Sequence, residues 1–276
     1  MSESLCKVTV AIDMAFENLM NQKDLGKCLK QLLHCYSINR RLAQPLQFHI
    51  TSFEGERLKL EMERHQGYEN WDCVFHTDAY VDVFTSPNSG HAVMPHNENH
   101  QNSSTEAIDT SKNAITMKQT ENILLKNNIH NDNEPVIKSE DNLADTQENN
   151  FIDPKRIVYL TSESENILDK FDPNKVYIIG GLVDHNNHKG LCHRLALEKG
   201  VSHARFPIQE AGIEMKTRQV LTIDHVFRII GAVASEGKSW KEALIETLPN
   251  RKGAKEVHDK AESDELQSDK DDEDKS

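Results

Sequence analysis

Residues 176–190, VYIIGGLVDHNNHKG, decide how the rest of the chain is read. Val176, Tyr177, Ile178 and Ile179 are apolar residues of high β propensity, and an unbroken run of this kind predicts a strand buried on both faces. Gly180 and Gly181 stop the run and permit close backbone approach to a ligand. A helix is expected around residues 189–199, closed by Gly200 as a C-cap. Strand, glycine turn, loop, helix is the α/β pattern, in which ligands sit beyond the carboxyl ends of parallel strands. No G-x-G-x-x-G follows the strand and no G-K-[ST] is present, so neither a dinucleotide fingerprint nor a P-loop is indicated.

Asp184 lies three residues beyond the glycine pair. It has two readings. Spacing alone favours a helix cap or a loop solvator, since Asp commonly caps helices. The functional reading is a general base within hydrogen-bond reach of a departing proton. His185 and His188 invite a metal, but two histidines in one loop without further donors at ligand spacing make a weak zinc signal. No metal is expected there.

The same pattern extends outward in both directions. Residues 157–160 and 204–208 predict further strands, the latter interrupted by Pro207, and helices are expected around Val226, Phe227, Ile230 and Val233 and around residues 240–248. Toward the N-terminus, Val8, Val10 and Ile12 mark a strand ending at Asp13. Leu25, Cys28, Leu29, Leu32, Leu33 and Tyr36 then share one helical face. Strands are expected over 46–51 and within 71–75. Alternating strands and helices predict a parallel sheet with helices on both faces. Phe227 and Trp240 occupy core positions.

The chain has 276 residues and a net charge of −13, but the charge is unevenly spread. Residues 85–150 hold 13 Asn, ten acidic residues and four lysines with no sustained period, and are expected to be a disordered insertion. A weak helical pattern near 115–125 does not alter that expectation. Residues 255–276 are expected to be an acidic, solvated tail. The remainder, residues 1–84 and 151–254, is about neutral and reads as a single folded domain. A neutral domain can still gather Lys and Arg on one face toward a polyanion. Five scattered cysteines without a C-x-x-C pair fit a reducing compartment. No apolar run reaches the roughly 18–20 residues of a membrane span, and no leader peptide is apparent. A nuclear or cytoplasmic setting follows as the expectation.

Several motifs in order resemble one family. Residues 176–190 are similar to the tRNA position-nine N1-purine methyltransferases of the SPOUT superfamily. So are IVYLTSESENIL (157–168), ARFPI (204–208), KTRQVLTIDHVF (216–227) and LPNRKGA (248–254), with AIDMAFENLM (11–20) and CYSINRRLAQPLQFHITSF (35–53) before them. The likeness spans about residues 1–84 and 155–254 and is greatest to the nuclear and cytosolic guanosine-type members. It implies a parallel sheet with a C-terminal trefoil knot, which periodicity cannot show and chain-topology rules disfavour. It implies S-adenosylmethionine as cofactor, tRNA as partner, no metal, and a monomer. By resemblance Asp184 matches the proposed catalytic Asp. The cofactor pocket would be formed by Leu160, Thr161, Gly181, His185, Asn186, Asn187, His188, Lys189, Ile208, Val220, Leu221 and Thr222. Arg40, Arg41, Arg194 and Arg218 are candidate tRNA contacts, although each singly reads as a solvated charge.

Three departures from the family pattern stand out. The chain starts almost at its first strand, without the basic N-terminal arm common in the family, so weaker tRNA affinity or a fragment is expected. The Asn-rich segment divides the domain at a loop. The acidic tail would repel RNA at the binding face. Three alternatives stay open: an inactive SPOUT-like tRNA-binding scaffold, N1-adenosine specificity, and an unrelated flavodoxin-like nucleotide binder. The absent phosphate-loop glycines count against the last.

Overall fold

A computed structural model describes residues 1, 3–86, 153–185, 187–215, 220–248 and 255–256. The chain begins with strand β1 (Thr9–Asp13), helix α1 (Gln22–Asn39), strand β2 (Gln47–Thr51), helix α2 (Glu56–Met62), strand β3 (Val74–Phe75) and helix α3 (Tyr80–Thr85). The second half supplies β4 (Ile157–Leu160), β5 (Val176–Gly180), α4 (Leu191–Glu198), β6 (Ser202–Ala204), β7 (Ile213–Glu214), α5 (Ile223–Ile230), α6 (Trp240–Thr247) and β8 (Lys255–Glu256). Six strands form one sheet in the order β3-β2-β1-β5-β4-β6, and every pair is parallel. The expected insertion lies outside the described residues from position 87 onward, and the tail from 257. Lys255–Glu256, placed at the start of that tail, pairs antiparallel with β7.

The period-two alternation of the central strands divides the interior into two cores. Val10, Ile12, Tyr177 and Ile179 join Leu25, Leu29, Leu32 and Phe227 on one face of the sheet. Ala11, Val176, Ile178 and Tyr159 meet Tyr80 and Ala196 on the other. Helices α1 and α5 thus cover the first face, and α3 and α4 the second. The apolar face predicted for α1 is buried at Leu25, Cys28, Leu29 and Leu32, and Asn21 caps the helix by accepting the Asp24 N–H. Phe227 on α5 meets Phe48 of β2 edge to face, with ring centroids 4.8 Å apart. A π-helical turn over Gly231–Ser235 follows α5, where Gly231 leaves space for Leu42. Ser239 and Glu242 form a capping box at the start of α6.

Several expected boundaries shift for identifiable reasons. The strand expected to run through Pro207 ends at Ala204, whose carbonyl accepts the Thr161 N–H. Only Val74 and Phe75 pair within 71–75, while Trp71 turns away to stack on Tyr36 at 4.4 Å. Helix α4 begins at Leu191 because Gly190 adopts φ +71°. Helix α2, short and rich in charge, has no counterpart in the sequence reading.

Strand order fixes where a ligand can sit. The chain builds outward from β1 to β2 and β3, then crosses the sheet to lay β5 beside β1, with β4 and β6 beyond. The direction of winding therefore reverses between the two halves, and the crevice beyond the carboxyl ends there is the expected binding place.

Candidate functional site

A cavity opens at the carboxyl ends of β4, β5 and β6. It encloses about 1050 Å³ of empty space, counting the part open to solvent. Leu160, Ile179, Gly180 and Ala204 contribute from the strand ends, and Leu191 and Cys192 from the first turn of α4. Ile208, Val220, Leu221, Ile223 and Val226 close the side toward α5, with Phe206 between. Its polar lining comes from Thr161, Ser162, Glu163, Asp184, His188 and Arg205. Apolar walls with a few convergent polar groups suit a flat heteroaromatic ligand bearing polar appendages.

The loop carrying Asp184 is pinned along its length. Gly181 donates its N–H to the Asp13 carbonyl at 2.7 Å and accepts the Cys28 thiol at 3.2 Å. A Cβ on Gly181 would come within 2.6 Å of that Asp13 oxygen and of Met14 Sδ. His185 takes the left-handed conformation, φ +53°, and its Nε2 sits 3.2 Å from Asp24 Oδ1 and 3.1 Å from Lys27 Nζ. The Lys27 hydrogen bond holds the Asp24 carboxyl below its usual range. Between these anchors Asp184 Oδ2 accepts the His188 N–H at 2.7 Å and lies 3.1 Å from His188 Nδ1. The carboxylate is 13 % exposed and reaches the cavity wall. Asp184 thus caps a turn and reaches the cavity wall.

A second carboxylate lies below the site. Asp13, at the end of β1, is buried and accepts hydrogen bonds from Ser52, the Ala15 N–H and the Tyr159 hydroxyl. Burial raises its pKa against the effect of those bonds. The Tyr159 hydroxyl also meets Cys192, whose thiol burial pushes to about 11. Asp13 does not line the cavity. Glu163 does, and its carboxylate lies 4.0 Å from Lys189 Nζ.

Of the residues singled out from the sequence, Leu160, Thr161, Asp184, His188, Ile208, Val220 and Leu221 meet around the cavity. Gly181, His185, Asn187, Lys189 and Thr222 do not line it. Gly181 and His185 instead anchor the loop, and Asn187 donates its N–H to the Asp184 carbonyl. Lys189 accepts from Arg194 and reaches toward Glu163. Thr222 bonds Asp224 at the start of α5. Asn186 and Arg218 lie outside the described residues. Arg40 and Arg41 follow the last residue of α1, whereas Lys27 beside the Asp184 loop is near its start. About 20 Å of helix separates them.

The sequence reading missed Glu163, Cys192, Phe206, Val226 and Lys27. Position was the available signal for most: strand carboxyl ends and first helical turns line the crevice. Val226 reaches it only through the packing of α5 on the sheet, and Lys27 meets the Asp184 loop through His185.

Comparison with known proteins agrees with this arrangement. A family model described as tRNA (guanine(9)-N(1))-methyltransferase TRM10/TRM10A matches residues 1–94 and 96–253. The Drosophila melanogaster tRNA (guanine(9)-N(1))-methyltransferase Trmt10A is 32% identical over 258 residues, covering 92% of this chain and 59% of that protein. The Xenopus tropicalis tRNA methyltransferase 10 homolog A is 35% identical over 245 residues, covering 88% and 52%. The chain therefore spans between half and three-fifths of the length of these relatives. Among solved structures, that of spTrm10(74) superposes with a TM-score of 0.59 at 24% identity, covering 88% of this chain and 95% of that one. A full-length spTrm10–SAH complex gives 0.57 at 23%, covering 88% and 96%. These two share the fold, and the sequence match extends across both halves of the sheet and the loops around the cavity. The chain belongs to the tRNA (guanine(9)-N(1))-methyltransferase TRM10/TRM10A family.

Proposed function

We propose that this chain transfers a methyl group from S-adenosylmethionine to N1 of guanosine at position nine of tRNA, with Asp184 as the general base. The observation that carries the reading is the Asp184 carboxylate, held by the His188 N–H on the wall of a mostly apolar cavity beyond the carboxyl ends of β4, β5 and β6. The relatives' printed names supply the substrate, and the SAH complex of spTrm10 supports the cofactor class. The donor set fits. Leu160, Ile208, Leu221 and Val226 offer apolar surface for adenine, while Thr161, Glu163 and Arg205 offer polar contacts for ribose and amino-acid groups. The trefoil knot implied by the resemblance belongs to the same reading, as do a monomeric state and a nuclear or cytoplasmic setting.

When bound, the cofactor supplies an electrophilic methyl group on a positively charged sulfonium. Guanine N1 carries a proton at neutral pH and is a poor nucleophile until that proton leaves. Asp184 accepts the proton as the new N–C bond forms. Its bond from the His188 N–H and the anchors at Gly181 and His185 keep the carboxylate oriented, so little reorganisation is needed. No step requires a metal. The target base leaves its stack to reach the cavity. Lys27, Lys189 and Arg194 lie at the loop as cations for the phosphates around it. Arg40 and Arg41 would meet only a substrate long enough to span α1, which tRNA is.

Incubation of the chain with total tRNA and methyl-labelled cofactor, followed by nucleoside mapping, tests the reading. Label in 1-methylguanosine at position nine is expected. Label in 1-methyladenosine would move the specificity to adenine. Tight cofactor and tRNA binding without label would make the chain a scaffold, and tight flavin or nucleotide binding would end the reading.

A further inference from the structure

Away from the cavity wall, the loop after β4, helix α4 and the edge strand β6 bring Glu165, His193 and His203 together. One imidazole nitrogen from each histidine and one Glu165 carboxylate oxygen all lie within 4.8 Å of one another. The two imidazoles meet edge to face with centroids 4.5 Å apart. His193 Nε2 is buried and makes no hydrogen bond. Glu165 Oε2 lies 3.8 Å from it, beyond hydrogen-bond reach. A buried polar nitrogen without a partner costs free energy unless something else satisfies it.

The surroundings of His203 point the same way. Ser164 Oγ accepts the Asn166 N–H at 3.0 Å and can donate to the Asn166 carbonyl at 3.4 Å. It also lies 2.8 Å from His203 Nδ1. With the hydroxyl proton directed to Asn166, His203 Nδ1–H donates to Ser164, and Nε2 keeps its lone pair. The Asn166 side-chain amide donates to the His203 carbonyl at 3.3 Å and lies 3.5 Å from Nδ1. An outer hydrogen bond that fixes the ring and leaves the other nitrogen as a donor is the usual support of a metal-bound histidine.

We propose that Glu165, His193 and His203 bind a divalent transition metal of zinc type, with water completing the coordination. Two imidazoles and one carboxylate with an open fourth position form an established zinc donor set. Zinc bonds of about 2.0–2.2 Å place donor atoms roughly 3.3 Å apart, so groups lying within 4.8 Å of one another close by up to about 1.5 Å on binding. Glu165 can supply its share of that movement, since its side chain is 74% exposed on a loop. The ion would tie the loop after β4, whose Ser162 and Glu163 line the cavity, to α4 and β6. This site is independent of the methyl-transfer reading and of His185 and His188.

The test is titration of the metal-stripped full chain with Zn²⁺ against a competing chelator, and with Co²⁺ by visible absorbance. Wild type is expected to bind one equivalent in the micromolar range, to show tetrahedral Co²⁺ bands, and to melt higher with Zn²⁺ present. His203→Gln and Glu165→Gln are each expected to weaken binding about tenfold or more and abolish those bands. Glu165→Gln alters an exposed side chain, and its unchanged melting temperature without metal would show the fold intact. Binding of equal affinity in both variants, or no binding by wild type, would overturn the proposal.

Discussion

At Gly181 the neighbours leave no space for a side chain. A Cβ there meets the Asp13 backbone as well as Met14 Sδ, and the backbone contact cannot be relieved by turning a side chain. Gly181→Ala must therefore displace β1 or the Asp184 loop, and about 1–3 kcal/mol of lost stability is expected. Urea denaturation measures it; an unchanged midpoint would show that the loop yields freely. The same variant is expected to bind cofactor more weakly, because moving this anchor moves the loop on the cavity wall. The sequence reading took this glycine to permit close approach to a ligand, whereas the close approach seen is to Asp13. The contact is made across the sheet by a residue more than 160 positions earlier. Asp184 was equally half-legible. Spacing favoured a cap, resemblance favoured a base, and the carboxylate caps a turn while reaching the cavity wall.

Among elements, the central strands were the most legible. β4 and the first four residues of β5 lie where uninterrupted apolar runs placed them, since both faces of each are covered. Helix α1 was equally plain, from a single apolar face. Elements that owe their form to neighbours were not legible: α2 among its charges, the pairing of β7 with β8, and the π-helical turn after α5. The packing of α5 and α1 on the same face of the sheet also depended on distance relations hidden in the sequence. Phe227 is fully buried there against Phe48, so Phe227→Ala is expected to cost about 3–5 kcal/mol. Chemical denaturation reads this directly. A loss below about 1 kcal/mol would mean that the α5 contact is not part of the cooperative core.

For the whole molecule, acid sensitivity follows from a buried histidine pair. His49 Nδ1 and His76 Nε2 lie 2.9 Å apart in stacked rings, so two protonated imidazoles cannot coexist there. Burial first, and then His76, lower His49 to about 4. Burial also lowers His76. In the unfolded chain a histidine titrates near 6.5. Between those values the unfolded state binds the extra proton, so stability falls as pH drops from about 6.5 toward 4, by about 3 kcal/mol for His49 alone. Asp13 acts in the opposite sense: its raised folded pKa makes the native state the better proton binder as pH falls. The comparison of wild type with His49→Gln across that range isolates the histidine contribution. A variant that loses stability just as steeply would contradict it.

The two halves of the chain, separated in sequence by the Asn-rich segment, complete one sheet, and every residue lining the cavity comes from the second half. In the function proposed above, Asp184 deprotonates guanine N1 in that cavity. Single-turnover methyl transfer to tRNA by wild type and Asp184→Asn, with cofactor affinity measured on the same preparations, tests that role. Transfer slowed by about 100-fold or more with cofactor affinity nearly unchanged is expected. Equal rates, with Glu163→Gln slow instead, would contradict it.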